Sequence, residues 1–157
     1  MKKIQENKEY IIVEIIPTNP NPNIGEIVQI SALKLKGLKL IDRFDYRLNL
    51  NKILIPDLIR ILDYDIDKFN YLESGKDILD KFICWSENIN LLIIDNKYTK
   101  DYLKDISNKK ESIFKYLGLK YNDDIIEKII EKYNLQPSNY IVDLLYEALI
   151  YQSNHKN

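Results

Sequence analysis

The sequence predicts one α/β domain, a mixed sheet covered by helices. Three observations predict it. Tyr10–Ile16 is a short apolar run, interrupted only by Glu14, as expected of a central strand buried on both faces. Two segments flanking Gly37 alternate apolar and polar residues. Most of the second half carries apolar residues at helical spacing.

The opening reads as a three-stranded antiparallel meander. Tyr10–Ile16 ends at Pro17-Thr18-Asn19-Pro20-Asn21-Pro22-Asn23, where three prolines exclude regular pairing. Ile24–Lys36 then forms a strand with Ile27, Val28 and Ile30, closing on Leu33-Lys34-Leu35-Lys36. Gly37 supplies the turn into Leu38–Leu50, whose apolar residues fall mostly two apart. After Pro56, Leu58, Ile59 and Leu62 suggest a short helix, and Asp63–Asp67 a turn. Ser74 and Gly75 precede an amphipathic helix with Ile78, Leu79, Phe82 and Ile83 on one face; Cys84 and Trp85 follow the stripe and are read as core. Leu91–Ile94 is a further buried strand, expected on the other side of Tyr10–Ile16. Everything beyond reads as helix. Ile125, Ile126, Ile129, Ile130 and Tyr133 make one stripe, and Ile141, Leu144, Leu145, Ala148 and Leu149 another, with Ser138 as its N-cap. The tail Ser153–Asn157 is expected to fray.

Composition narrows the function. The 157 residues are 45% hydrophobic and 30% charged, which is globular and fits a single domain spanning 1–157. Lys+Arg is 23 against Asp+Glu 24, so bulk charge does not mark a nucleic-acid binder. The lone cysteine, Cys84, excludes an internal disulfide and a cysteine zinc site. The one histidine, His155, stands two residues from the end of the chain. No apolar run spans a bilayer and no signal-type stretch opens the chain, so a cytoplasmic protein without membrane partners is expected. Tyr is frequent, at 12 copies, and is expected mainly in packing. The lysines from Lys97 to Lys110 are interleaved with acids, as on a solvated helix face. Asp63, Asp65 and Asp67 lack the glycine and distal glutamate of a calcium loop.

Several motifs, in order, resemble the DnaQ-like (DEDD) 3′–5′ exonucleases, whose fold is ribonuclease H-like. They are Ile12-Val13-Glu14-Ile15-Ile16-Pro17-Thr18, then Glu26-Ile27-Val28-Gln29-Ile30-Ser31-Ala32-Leu33-Lys34, Asp42-Arg43-Phe44, Ile55-Pro56-Asp57-Leu58, Ile78–Phe82, Asp95–Leu103 and Ser138–Leu144. Together they cover roughly Tyr10 to Gln152. The resemblance implies a phosphodiesterase chemistry in which four carboxylates hold two divalent metals, Mg²⁺ or Mn²⁺, and a general base assists the attacking water.

Mapped onto this chain, that implied site is incomplete. Glu14 stands at the first acidic position and Asp143 matches the last; these two are the remnant catalytic and metal positions. Ile16 replaces the strand's glutamate, Lys100 the middle aspartate and Ser138 the base. Metal binding is therefore expected to be weak or absent, with Lys100 near Glu14 or Asp143 neutralising the charge that metals would balance. Asn96, Lys97 and Lys100 are candidate nucleic-acid contacts. The expected function is a degenerate exonuclease-like domain that binds a protein partner or single-stranded nucleic acid. Two alternatives remain: an active exonuclease whose carboxylate set is rebuilt with Asp95, Asp101 or Glu147, and a structural module that forms a homo-oligomer through exposed tyrosines.

Overall fold

The computed structural model describes residues 2–49, 70–138 and 140–154. The helix expected at Leu58–Leu62, the turn at Asp63–Asp67, the Ile55–Leu58 motif, Leu50 and the final three residues lie outside them.

Among the described residues six strands form one sheet: β1 Glu9–Pro17, β2 Ile27–Lys36, β3 Lys39–Leu48, β4 Asn70–Leu72, β5 Asn90–Ile93 and β6 Lys110–Ser112. Their spatial order is β4-β3-β2-β1-β5-β6. β2 pairs antiparallel with β1 and β3; the pairs β1–β5, β5–β6 and β3–β4 are parallel. β1 is thus interior, as its apolar run requires. The β2–β3 turn depends on Gly37, whose φ of 60° is left-handed and where a Cβ would lie 2.5 Å from the Glu6 carbonyl oxygen.

Five helices are seen among the described residues: α1 Gly75–Ser86, α2 Lys97–Tyr102, α3 Phe114–Leu117, α4 Ile125–Tyr133 and α5 Ile141–Asn154. They cover both faces of the sheet, because β1 is apolar on both. Ile11, Val13 and Ile15 pack with Ile78 and Phe82 of α1. Tyr10 and Ile12 pack on the opposite face with Phe114, Ile129, Leu145 and Ala148 of α3, α4 and α5. Ser74 caps α1 by accepting from the Asp77 N–H at 3.1 Å, and Glu26 accepts from the Gly75 N–H at 2.9 Å, which fixes the helix against the start of β2.

Five local expectations are corrected. β6 lies in a region read as wholly helical; Lys110-Glu111-Ser112 has no apolar run, and its extended form comes from pairing with β5. Ile24 is outside β2 and 73% exposed. Cys84 is exposed, because the buried stripe of α1 is the narrow one through Ile78 and Phe82, while Trp85 is half-buried and packs against the core with Phe44 and Phe82. Ser138 is not the N-cap of α5. The Tyr140 carbonyl accepts from the Asp143 N–H, while the Ser138 hydroxyl accepts from the Tyr140 N–H in a turn preceding the helix. Ser153 and Asn154 belong to α5 rather than to a frayed tail.

Glu111 of β6 anchors the far edge. Its buried carboxylate accepts from the Lys2 ammonium and, at 2.8 Å, from the Tyr116 hydroxyl. Burial alone would raise its pKa, but these hydrogen bonds and the charges of Lys2 and Lys109 outweigh it and bring the value to about 2. A depressed carboxyl stabilises the fold above its unfolded pKa, and that stability is lost as pH falls from about 4.5 toward about 2. Glu111→Gln should therefore cost roughly 1.5–3 kcal/mol at neutral pH. Denaturant titrations at a series of pH values should show the deficit shrinking across that acid window.

A candidate site at the start of the last helix

Sheet register places three residues in one row. Glu14 of β1 is opposite Ser31 of β2, which is opposite Asp45 of β3. Directly paired residues share a face, here the face covered by α5. The next row adds Gln29 and Arg47, both buried; Gln29 donates to the Ser31 hydroxyl at 2.8 Å and accepts from the Arg47 Nε at 3.0 Å. A polar seam thus crosses an otherwise apolar sheet face and ends beneath the first turn of α5, where Asp143 sits.

Arg43 closes the seam. Its terminal nitrogens donate to both oxygens of Asp143, at 2.8 and 3.0 Å, and its Nε donates to Asp45 Oδ2 at 2.6 Å. This planar fork is the geometry in which a guanidinium binds carboxylate best. The hydrogen bond to Asp143 is the chief reason the Arg43 pKa rises above its ordinary value. The Tyr140 ring centre lies 6.0 Å from the guanidinium carbon.

Glu14 is only 6% exposed, and among the described residues its Oε1 has no hydrogen-bond partner. Burial pushes its pKa up to about 8; a hydrogen bond from the Ile141 backbone opposes the rise, and the charges of Asp143 and Asp45 add to it. At neutral pH Glu14 is therefore largely a neutral acid. Tyr98 of α2 borders it: its pKa is raised first by burial and then by the charge of Glu14.

Other sequence candidates are placed elsewhere. Lys100 is exposed and pairs with Asp95 at 3.9 Å, so the cation on Asp143 is Arg43 rather than Lys100. Asp95 also accepts from the Ser112 hydroxyl at 2.6 Å, and with Lys100, Lys110 and Lys115 it lines a groove of about 510 Å³. Ile16 is half-buried and packs with the cluster that holds Val13 and Ile15. Asn96 caps α2 by accepting from the Thr99 N–H, and Lys97 is the first residue of that helix. Asp101 lines a different groove, with Pro22, Gly25 and Lys104, and Glu147 is exposed on α5. Asp95, Asp101 and Glu147 are not among the charges acting on Glu14.

Sequence reasoning missed Asp45 and Arg43. The only signal was the charged alternation Asp42, Arg43, Asp45, Arg47 in a strand, and its meaning depends on a register set by the hairpin.

The two-metal centre implied by the resemblance does not fit these residues. Hard divalent ions require several free, ionised oxygen ligands. Ile16 has none, and both Asp143 oxygens are taken by a permanent cation. Among the described residues no group of three or more His, Cys, Asp or Glu is arranged to hold a metal ion.

No family model matches the chain, and no curated protein sequence does. Solved structures do. The zinc-bound E. coli exonuclease I–single-stranded DNA complex aligns with a TM-score of 0.58 at 9% identity, covering 95% of this chain and 41% of that one. A product-bound exonuclease I aligns at 0.55 with 10% identity, covering 94% and 43%. The chain therefore spans less than half of these neighbours. The fold is α/β with a ribonuclease H-like mixed sheet, and it is exonuclease-like. Among the described residues no helix is long and apolar enough to cross a membrane.

A carboxyl whose folded pKa is raised stabilises the fold fully below its unfolded pKa, and that contribution is lost as pH rises through the folded value. For Glu14 the window runs from about 4.5 to about 8. Glu14→Gln should melt close to the parent at pH 4.5. Its relative stability should then climb with pH, reaching on the order of a few kcal/mol above pH 8. Thermal melts across that range check the trend; a constant difference would show that Glu14 does not carry the burial cost.

Proposed function

We propose that this chain is a degenerate exonuclease-like domain that binds single-stranded nucleic acid without hydrolysing it. The observation that carries the reading is the consumed carboxylate set: Arg43 holds Asp143 and Asp45, and Glu14 is buried as a neutral acid. Two-metal hydrolysis needs those groups ionised and open to metal. Binding does not, and the site keeps features a strand can use. Tyr98 and Tyr140 are half-buried rings beside it, suited to base stacking. Lys100 is an exposed cation on the same helix as Tyr98. The single-stranded DNA held by the similar exonuclease I supports the same ligand class.

The test is incubation of the purified chain with labelled single-stranded DNA and RNA, in Mn²⁺ and in EDTA. We expect intact strands in both, and retarded complexes that EDTA does not dissolve. Mn²⁺-dependent shortening that is lost in Glu14→Ala and Asp143→Ala would establish the active-enzyme alternative instead. Intact strands without complexes would point to a protein partner.

A further inference from the structure

Resting on the strand-binding reading, we infer that two adjoining lysine-lined grooves beside β6 and α3, together with the exposed ring of Tyr121, form the track that holds the phosphate backbone of a bound single strand.

The groove of about 510 Å³ that contains Asp95 and Glu111 has Lys100, Lys110 and Lys115 on its walls. A second groove, of about 360 Å³, is lined by Lys2, Lys115, Lys120 and the apolar Phe114 and Leu119. Lys115 lines both, so the two run into one another. Their charge is lopsided. Glu111 is drawn inside, with a side chain 5% exposed, and its charge is met by Lys2 and Lys109. Asp95 accepts from the Ser112 hydroxyl and pairs with Lys100. Lys110 donates to the carbonyls of Ile106 and Asn108, which fix its ammonium without cancelling the charge. Lys115 and Lys120 are exposed, and among the described residues neither pairs with a carboxylate. Five lysines thus face two acids here, in a chain whose net charge is −1. Such a local excess draws a polyanion that the bulk charge does not.

An aromatic ring stands beside the cations, as a strand binder requires. Tyr121 is 36% exposed, and its ring packs at 5.9 Å on the buried ring of Phe114, a wall of the second groove. That contact holds the phenol in place as a stacking platform. The pKa of Tyr98 is raised first by burial, then by Glu14 and Tyr121, so Tyr121 lies close to the border of the candidate site. The track and the site are therefore continuous.

Lysines that serve only solubility would contribute equally wherever they stand, so the test compares positions. It is the fluorescence anisotropy of labelled oligo-dT and oligo-rU with the parent and its variants, across a series of salt concentrations. Every side chain substituted is exposed, and thermal melts check that each variant folds. Lys115→Gln with Lys120→Gln should weaken binding on the order of tenfold at low salt and flatten the slope of log affinity against log salt by about 1.4, the value for two phosphates of a single strand. Lys115→Arg with Lys120→Arg should keep the parent slope. Tyr121→Leu should weaken binding about fivefold or more with the slope unchanged, because stacking releases no counterions. Lys76→Gln with Lys81→Gln removes the same charge from α1, on the opposite face of the sheet, and should change neither quantity.

The inference is overturned if strands bind but the Lys115 and Lys120 pair costs no more than the α1 pair, if its loss leaves the slope unchanged, or if Tyr121→Leu binds like the parent. Each of these leaves the binding reading standing. If neither strand binds the parent, the reading falls and the track with it.

Discussion

Everything in the fold answers to one constraint, that β1 is apolar on both faces and must be covered on both. The hairpin β2–β3 flanks it on one side and β5 on the other, with α1 against one face and α3, α4 and α5 against the opposite one. Glu14 lies in this strand, so it is carried into the interior with its neighbours. Burial of a carboxyl is tolerable when it stays neutral. The chemistry of the site thus begins as a side effect of packing: the strand that organises the sheet also fixes the protonation state of its one acid within the apolar run.

Arg43 is the counterpart of that constraint on the surface side. Asp143 and Asp45 are partly open to solvent and both pair with Arg43. A guanidinium from β3 reaches both because the hairpin register sets Asp45 in the row of Glu14, with Arg43 two residues along the same face. The sheet and its covering helices repeat a known arrangement, while in this chain Arg43 holds both oxygens of Asp143.

The fold was largely legible in the sequence because its signals are local. Tyr10–Ile16 has no polar residue except Glu14, the hairpin alternates around a glycine, and the helical stripes of α4 and α5 keep their period. What was not legible is what tertiary contact decides. β6 has three polar residues and exists because β5 offers it a ladder. Cys84 follows an apolar stripe yet points outward, because α1 buries a narrower face than its composition allows. At the candidate site, Glu14 and Asp143 were singled out by motif position, and the charge of Asp143 does act on Glu14. Arg43 was not, since finding it requires the register of β2 on β3 to the residue. Lys100 drew attention for its place in the motif, but its helix turns it toward Asp95.

The anchor between Lys2 and Glu111 joins residues 109 apart in sequence, and the Tyr102 hydroxyl reaches the Asn19 carbonyl across 83. Chains that must close loops of this length before the reward arrives fold slowly compared with helical bundles. Until β5 docks, one whole edge of the most apolar strand has no partner, and an unpaired apolar strand edge is the template on which chains join to one another. The strand that makes the native sheet cohere is, for that interval, the molecule's main route to aggregation, and heterologous production would be governed by how long the interval lasts rather than by how stable the finished fold is.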